Sequence, residues 1–215
     1  MSSNLSNSLF AVVFSFFFTA VYAGPAEQQA FENFERAAAG DKAAVELAIE
    51  QFETLLKGDP QQPVYEARVG SLTTMQARDA WAPWKKMSYS EQGLERIDLA
   101  LDTLTDVHDQ QQIEQRFVSL DVRYTAAVTF SSLPRFFNRW GQAERILAEM
   151  LQSPLLAKTP VEFRASVWLS RARLAQQRQE LPLYKEYLQK VIELAPNSKP
   201  GIAARKLLAE NRSHE

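Results

Sequence analysis

Residues 41–57 read DKAAVELAIEQFETLLK, and Gly58-Asp59-Pro60 follows. Val45, Ala48, Ile49, Phe52, Leu55 and Leu56 recur at steps of three and four residues, while Glu46, Glu50 and Glu53 fall on other faces. That is the period of an amphipathic α-helix. Asp41 is placed to cap its first turn. Gly58-Asp59-Pro60 is placed to end it, since glycine takes the left-handed cap conformation and proline cannot continue the helix. Upstream, residues 27–39 form a shorter helical stretch, with Gly40 as the break. Two helices joined by so short a turn pack antiparallel. The unit of the fold is a helix pair.

The same unit recurs to the end of the chain. Pro63 opens a helix whose stripe is Tyr65, Val69, Leu72 and Met75. Its partner is expected to begin at Ser88, three residues before Glu91 in capping-box spacing, with Leu94, Ile97, Leu101, Leu104 and Val107 on its buried face. A third pair places Ile113, Phe117, Leu120, Tyr124 and Ala127 on one helix; after Gly141 it places Ala143, Ile146, Leu147, Met150 and Leu151 on the other. Thr159-Pro160-Val161-Glu162 opens the fourth pair with an N-cap, a proline and a capping-box glutamate. Its stripes are Val161, Ala165, Trp168, Ala172 and Ala175, then Tyr184, Leu188, Val191 and Ala195. Residues 200–210, with Ile202, Leu207 and Leu208 on one side, suit a terminal capping helix. The expected class is all-α, an α-α superhelix of about four helix pairs plus a C-terminal cap. Pairs starting near 27, 63, 110, 160 and 200 cannot each bury a face alone, which is the logic of a solenoid.

Composition narrows the function. The formal net charge is −2, so no basic face for nucleic acid is expected. There is no cysteine, so the fold rests on packing rather than disulfides. Leu9–Val21, LFAVVFSFFFTAV, is an uncharged apolar run ending in Val21-Tyr22-Ala23. It reads as a signal peptide over residues 1–23, cleaved between Ala23 and Gly24, and leaves residues 24–215 as one exported helical-repeat domain. The run falls short of the ~20 residues a membrane span needs, so no stable membrane insertion is expected after cleavage. Residues 1–8 carry no Lys or Arg, which leaves an uncleaved anchor as the rival, and the missing cysteine excludes attachment through a lipidated one.

Several positions resemble tetratricopeptide repeats. In that family a small residue on the second helix is followed four later by a large one and eight beyond by proline, which Ala48, Phe52 and Pro60 match. Trp168, Ala172 and Pro196 match in the fourth pair, where Tyr184 departs from the expected small residue. Trp140-Gly141-Gln142-Ala143 is a looser match in the third. The stretch from Gly70-Ser71-Leu72 to Lys85-Lys86 is similar to exported helical-repeat proteins of Gram-negative bacteria. The resemblance implies a periplasmic scaffold or adaptor that binds a protein or peptide of the cell envelope.

Two connections carry the candidate binding residues. Arg78-Asp79-Ala80-Trp81-Ala82-Pro83-Trp84-Lys85-Lys86-Met87-Ser88-Tyr89 places two tryptophans, a tyrosine and three cations where Pro83 argues for a loop with a short turn. Leu133-Pro134-Arg135-Phe136-Phe137-Asn138-Arg139-Trp140 repeats the mixture. Aromatic anchors beside cations suit recognition, and Arg135 and Arg139 could fork onto carboxylates, so Arg78, Trp81, Trp84, Lys85, Lys86, Tyr89, Arg135, Arg139 and Trp140 are the expected binding set. The competing role for the tryptophans and phenylalanines is to fill gaps between helix pairs. No catalytic residues, cofactor or metal site are expected. His108 stands alone between Asp106 and Asp109 at a helix end, where capping is the ordinary role. No nucleophile elbow or glycine-rich phosphate loop occurs. Two other readings stay open: a carbohydrate-acting hydrolase with paired carboxylates, and a small-ligand carrier.

Overall fold

In the computed structural model, which describes residues 24–212, Asp41 caps the helix that follows it. Its Oδ1 accepts from the backbone N–H groups of Ala43 (3.1 Å) and Ala44 (3.3 Å). Gly40 turns the chain at φ +106°, a conformation that favours glycine. The first pair is α1 (Pro25–Ala38) and α2 (Lys42–Gly58). Then come α3 (Pro63–Asp79) and α4 (Pro83–Asp102), α5 (Val118–Ser132) and α6 (Trp140–Gln152), α7 (Val161–Gln177) and α8 (Leu181–Leu194), and finally α9 (Lys199–Arg212). The described chain is all-α: nine α-helices and, besides short 3₁₀ turns, one two-residue hairpin, β1 (Gln112–Ile113) and β2 (Arg116–Phe117). The signal peptide expected over residues 1–23 lies outside the described residues.

Helices of a pair pack on each other, α1 on α2, α3 on α4, α5 on α6 and α7 on α8, while α9 covers α8 and α7. In the second pair the backbones nearly touch. A Cβ at Gly70 would lie 2.7 Å from the Gly93 carbonyl oxygen, and one at Gly93 would lie 2.5 Å from that of Gly70. Gly70 also faces Ile97, and Gly93 faces Thr74, so α3 and α4 are antiparallel.

The first helices of successive pairs run parallel. Glu27 meets Tyr65 and Phe34 meets Arg68, which aligns α1 with α3. Arg68 meets Asp121 and Thr125, and Ser71 meets Thr129, which aligns α3 with α5. Arg171 and Arg178 of α7 hold Glu144 near the start of α6, so the end of α7 lies beside the α5–α6 connection. One edge of the array therefore carries every turn from a first helix to its second.

Three apolar clusters overlap along the array. The first is centred on Phe52, which meets Phe31 and Phe34 edge-to-face at 5.3 and 6.4 Å; the second joins α4, α5, α6 and α7; the third joins α7, α8 and α9. The expected stripe of α2 is buried as read at Val45, Ala48, Phe52 and Leu56.

Other expectations need correction. Helix α4 starts at Pro83, not Ser88, because proline at the first helical position costs no hydrogen bond there. Ser88 accepts from Gln92 one turn on instead of capping. The third pair's first helix starts at Val118: Glu114 and Gln115 both adopt positive φ, at 49° and 62°, and turn Ile113 and Phe117 into a hairpin. Val107 sits in a 3₁₀ turn and is exposed, as are Val161 and Ile202 at the starts of α7 and α9. Thr159 bonds back to the Leu156 carbonyl and does not cap α7. Trp168 is half-buried, tilted against Tyr187 at 5.6 Å with the Lys190 ammonium 4.7 Å from its ring centre.

Candidate functional site

The turn between α3 and α4 is three residues long, Ala80–Ala82. Asp79, at the end of α3, is bound by Arg78 and lies 3.3 Å from Lys42 of α2, which anchors the turn to the first pair. The Arg78 hydrogen bond, with a further one from Lys42, holds the Asp79 carboxyl below its usual pKa. Arg78 is therefore engaged locally. Ala82 is buried and fixes the start of α4.

The side chains on either side of Ala82 point away from the protein. Trp81 is 83% exposed and Trp84 67%, and their rings meet edge-to-face at 6.0 Å. They do not fill a gap between helix pairs. Met87 is exposed as well, Tyr89 is half-buried, and Lys85 and Lys86 are exposed with no ion pair among the described residues. This helix start breaks local rules. It has no side-chain cap, no acid in its first turn, and two lysines where the helix dipole opposes positive charge. Neither the lysines nor the tryptophans are placed there by the needs of the fold.

The α5–α6 connection behaves differently. Arg139 forks onto Asp98 of α4, with contacts of 2.9 and 2.6 Å, also donates to Gln142, and lies 5.0 Å from the Phe130 ring centre. Trp140 is half-buried and its indole N–H donates to the Leu133 carbonyl at 2.9 Å. Both are therefore packing residues, because the fork expected for a ligand is already filled. Phe136 is 70% exposed, its ring tilted against half-buried Phe137 at 4.6 Å, and Arg135 is exposed without an ion pair among the described residues. Among the described residues no hydrogen bond, ion pair or ring contact joins this connection to the Trp81–Trp84 pair. They share an edge of the array, not a pocket.

Sequence reasoning missed two further features. The first is a cleft between the end of α4 and α6, with α5 beneath it. It comprises adjoining cavities of about 220 and 230 Å³ that share Arg123 and Glu149. Leu101, Leu104, Leu120, Ile146 and Met150 line it with Gln142, Arg145 and Asp109. Arg145 and Glu149 are exposed on α6 and have no ion partner among the described residues; Arg123 lies 3.9 Å from Asp109.

The second is a buried ion cluster. Arg68 donates to Asp121 at 2.7 Å and to Thr125 at 2.7 Å, and its guanidinium lies 4.3 Å from the Phe34 ring centre. Arg116 of the hairpin reaches the other Asp121 oxygen at 3.0 Å and Glu114 at 2.6 Å. Burial lowers the pKa of Arg68 against the opposing pull of Asp121. The Arg68–Asp121 pair at its centre is closed to solvent, while Arg116 and Glu114 reach the surface, and the cluster reads as structural. Nearby, burial and then donation to Glu27 raise the pKa of the Tyr65 phenol.

His108 caps its own 3₁₀ turn: its Nδ1 accepts from the Thr105 N–H at 2.9 Å. Among the described residues no three histidine, cysteine, aspartate or glutamate side chains converge as metal ligands, and no helix is long and apolar enough to cross a membrane. The fold and these surfaces define an all-α array of stacked helix pairs. Comparison with protein-family models, curated protein sequences and solved structures finds no match.

Proposed function

We propose that this chain is a non-enzymatic, tetratricopeptide-like scaffold of the cell envelope, exported to the periplasm by residues 1–23, that holds an extended segment of a partner protein. The observation that carries this is the cleft between α4 and α6. Leu101 and Leu104 line it above the buried Ile146 and Met150, and the surface that it presents is mostly polar and charged, at Arg123, Arg145 and Glu149. Along α6 it runs from Gln142 to Ser153, about 16 Å at the helical rise, which suits about five extended residues. An apolar side chain of the segment would meet Leu101 and Leu104, and acidic ones would meet Arg123 and Arg145.

A photo-crosslinking residue at Glu149 should give a discrete protein adduct in the native host, while one at exposed Lys206 of α9 should not. Arg123→Glu with Arg145→Glu should reduce that adduct at least tenfold at unchanged helicity. An adduct yield at Glu149 no higher than at Lys206 would sink the reading.

One observation favours a second reading. Asp109 and Glu149 border the same cleft, so an envelope hydrolase with paired carboxylates has a place to act. Glycan hydrolysis by the purified chain that disappears in Glu149→Gln would replace the scaffold with that enzyme. A small-ligand carrier has less support, because the cleft is open along its length rather than enclosed.

A further inference from the structure

The edge that carries the first-to-second-helix turns is chemically unlike the rest of the surface. Trp81 and Trp84 stand 83% and 67% exposed at the α3–α4 turn, and Phe136 is 70% exposed at the α5–α6 connection. Leu181 and Leu183 are exposed at the start of α8, on the same edge. The cations among these rings, Lys85, Lys86 and Arg135, make no ion pair among the described residues. The opposite edge carries exposed aliphatics such as Leu99, Val107 and Val161, mixed charge and, among the described residues, no exposed tryptophan or phenylalanine.

We propose that this aromatic-cationic edge docks the protein onto the surface of an anionic phospholipid bilayer. Turns of successive stacked pairs lie side by side on one edge, so their tips can meet a flat surface together. An indole is amphipathic and settles at the headgroup level of a bilayer, with its ring toward the acyl chains and its N–H toward carbonyl and water. Neither the Trp81 nor the Trp84 indole N–H has an acceptor among the described residues, whereas that of Trp140 has one. Ammonium and guanidinium groups beside the rings are drawn to lipid phosphates, and aromatic burial together with basic charge gives the two signals that stable peripheral binding needs. A protein partner would be expected to meet a pocket or groove here, yet the two cavities described lie elsewhere, in the α4–α6 cleft. Docking of this kind is compatible with the lack of a membrane-spanning helix among the described residues. It is also independent of what the cleft holds.

The test uses the protein purified from its host with its native N-terminus, titrated with vesicles of phosphatidylcholine alone and of phosphatidylcholine with phosphatidylglycerol. Mixed vesicles should bind the protein, shift its tryptophan emission to the blue and, when brominated, quench it; neutral vesicles should do so at least tenfold more weakly. Trp81→Ser with Trp84→Ser should weaken binding at least tenfold. Lys85→Ala with Lys86→Ala should weaken it about 25-fold at low salt, roughly fivefold per cation. All variants share one N-terminus, so the differences report on the edge, and circular dichroism should show them folded alike. Vesicle binding that both double variants leave unchanged would overturn the proposal. So would no binding to anionic vesicles at millimolar lipid, or a protein adduct as the sole product of a crosslinker at Trp84 in cells.

Discussion

The α3–α4 turn and the α5–α6 connection have nearly the same composition, aromatic rings and cations around a proline, yet the folded chain turns Arg139 and Trp140 of the second inward and leaves the first outside. In the second, Arg139 meets Asp98 and Trp140 meets the Leu133 carbonyl, so the polar groups of both are satisfied inside the protein. In the first, two indoles and two ammonium groups have no such partners among the described residues. The difference lies in what stands opposite each segment. An arginine with a carboxylate in reach becomes part of the fold, and a lysine without one stays available to a ligand. Composition nominates a segment, and unmet hydrogen-bonding and charge capacity decide its use.

The most severe test of an engaged arginine is Arg68. Asp121→Ala would leave a buried guanidinium without its counter-ion and should cost about 3–5 kcal/mol in denaturant unfolding. A loss under 1 kcal/mol would mean that the guanidinium does not depend on that carboxylate. Next in size is Trp140→Ala, expected to cost about 2–3 kcal/mol, less than a fully buried tryptophan because the ring is half-exposed. Arg139→Ala removes a partly exposed, solvent-screened fork and should cost about 1 kcal/mol. At the other connection, Trp84→Ala should change stability by less than about 0.5 kcal/mol, as for most surface substitutions. If Trp84→Ala proved as costly as Trp140→Ala, the contrast between the two segments would collapse.

Much of this was legible beforehand, and the exceptions have physical causes. The three-and-four periodicity placed the helix pairs, because burial of one face decides them regardless of neighbours. The hairpin escaped because Glu114-Gln115 lacks the Asn-Gly or Asp-Gly signal that positive φ normally leaves in a sequence. The start of α4 was misplaced since Pro83 both breaks a helix and opens one, and only the three-residue turn before it distinguishes the two. The Arg68–Asp121 pair joins residues 53 apart in sequence, and the cleft is assembled from residues between Leu101 and Ser153 on separate helices, so no local pattern announces them. Exposure of the tryptophans was equally hidden, since an apolar residue beside a turn reads the same whether it packs or projects.

The buried ion cluster also bears on whether this array is modular. In an ideal solenoid each repeat touches only its neighbours, and terminal units can be trimmed with local losses. Here Asp121 of the third pair neutralises Arg68 of the second, while Phe31 and Phe34 of the first cover that guanidinium. Deleting the first pair would therefore open a charge in the middle of the array to water, and unfolding should spread from the cut through α5. The N-terminal three pairs should therefore unfold as one cooperative block, tied by Arg68 as well as by the apolar cluster that they share.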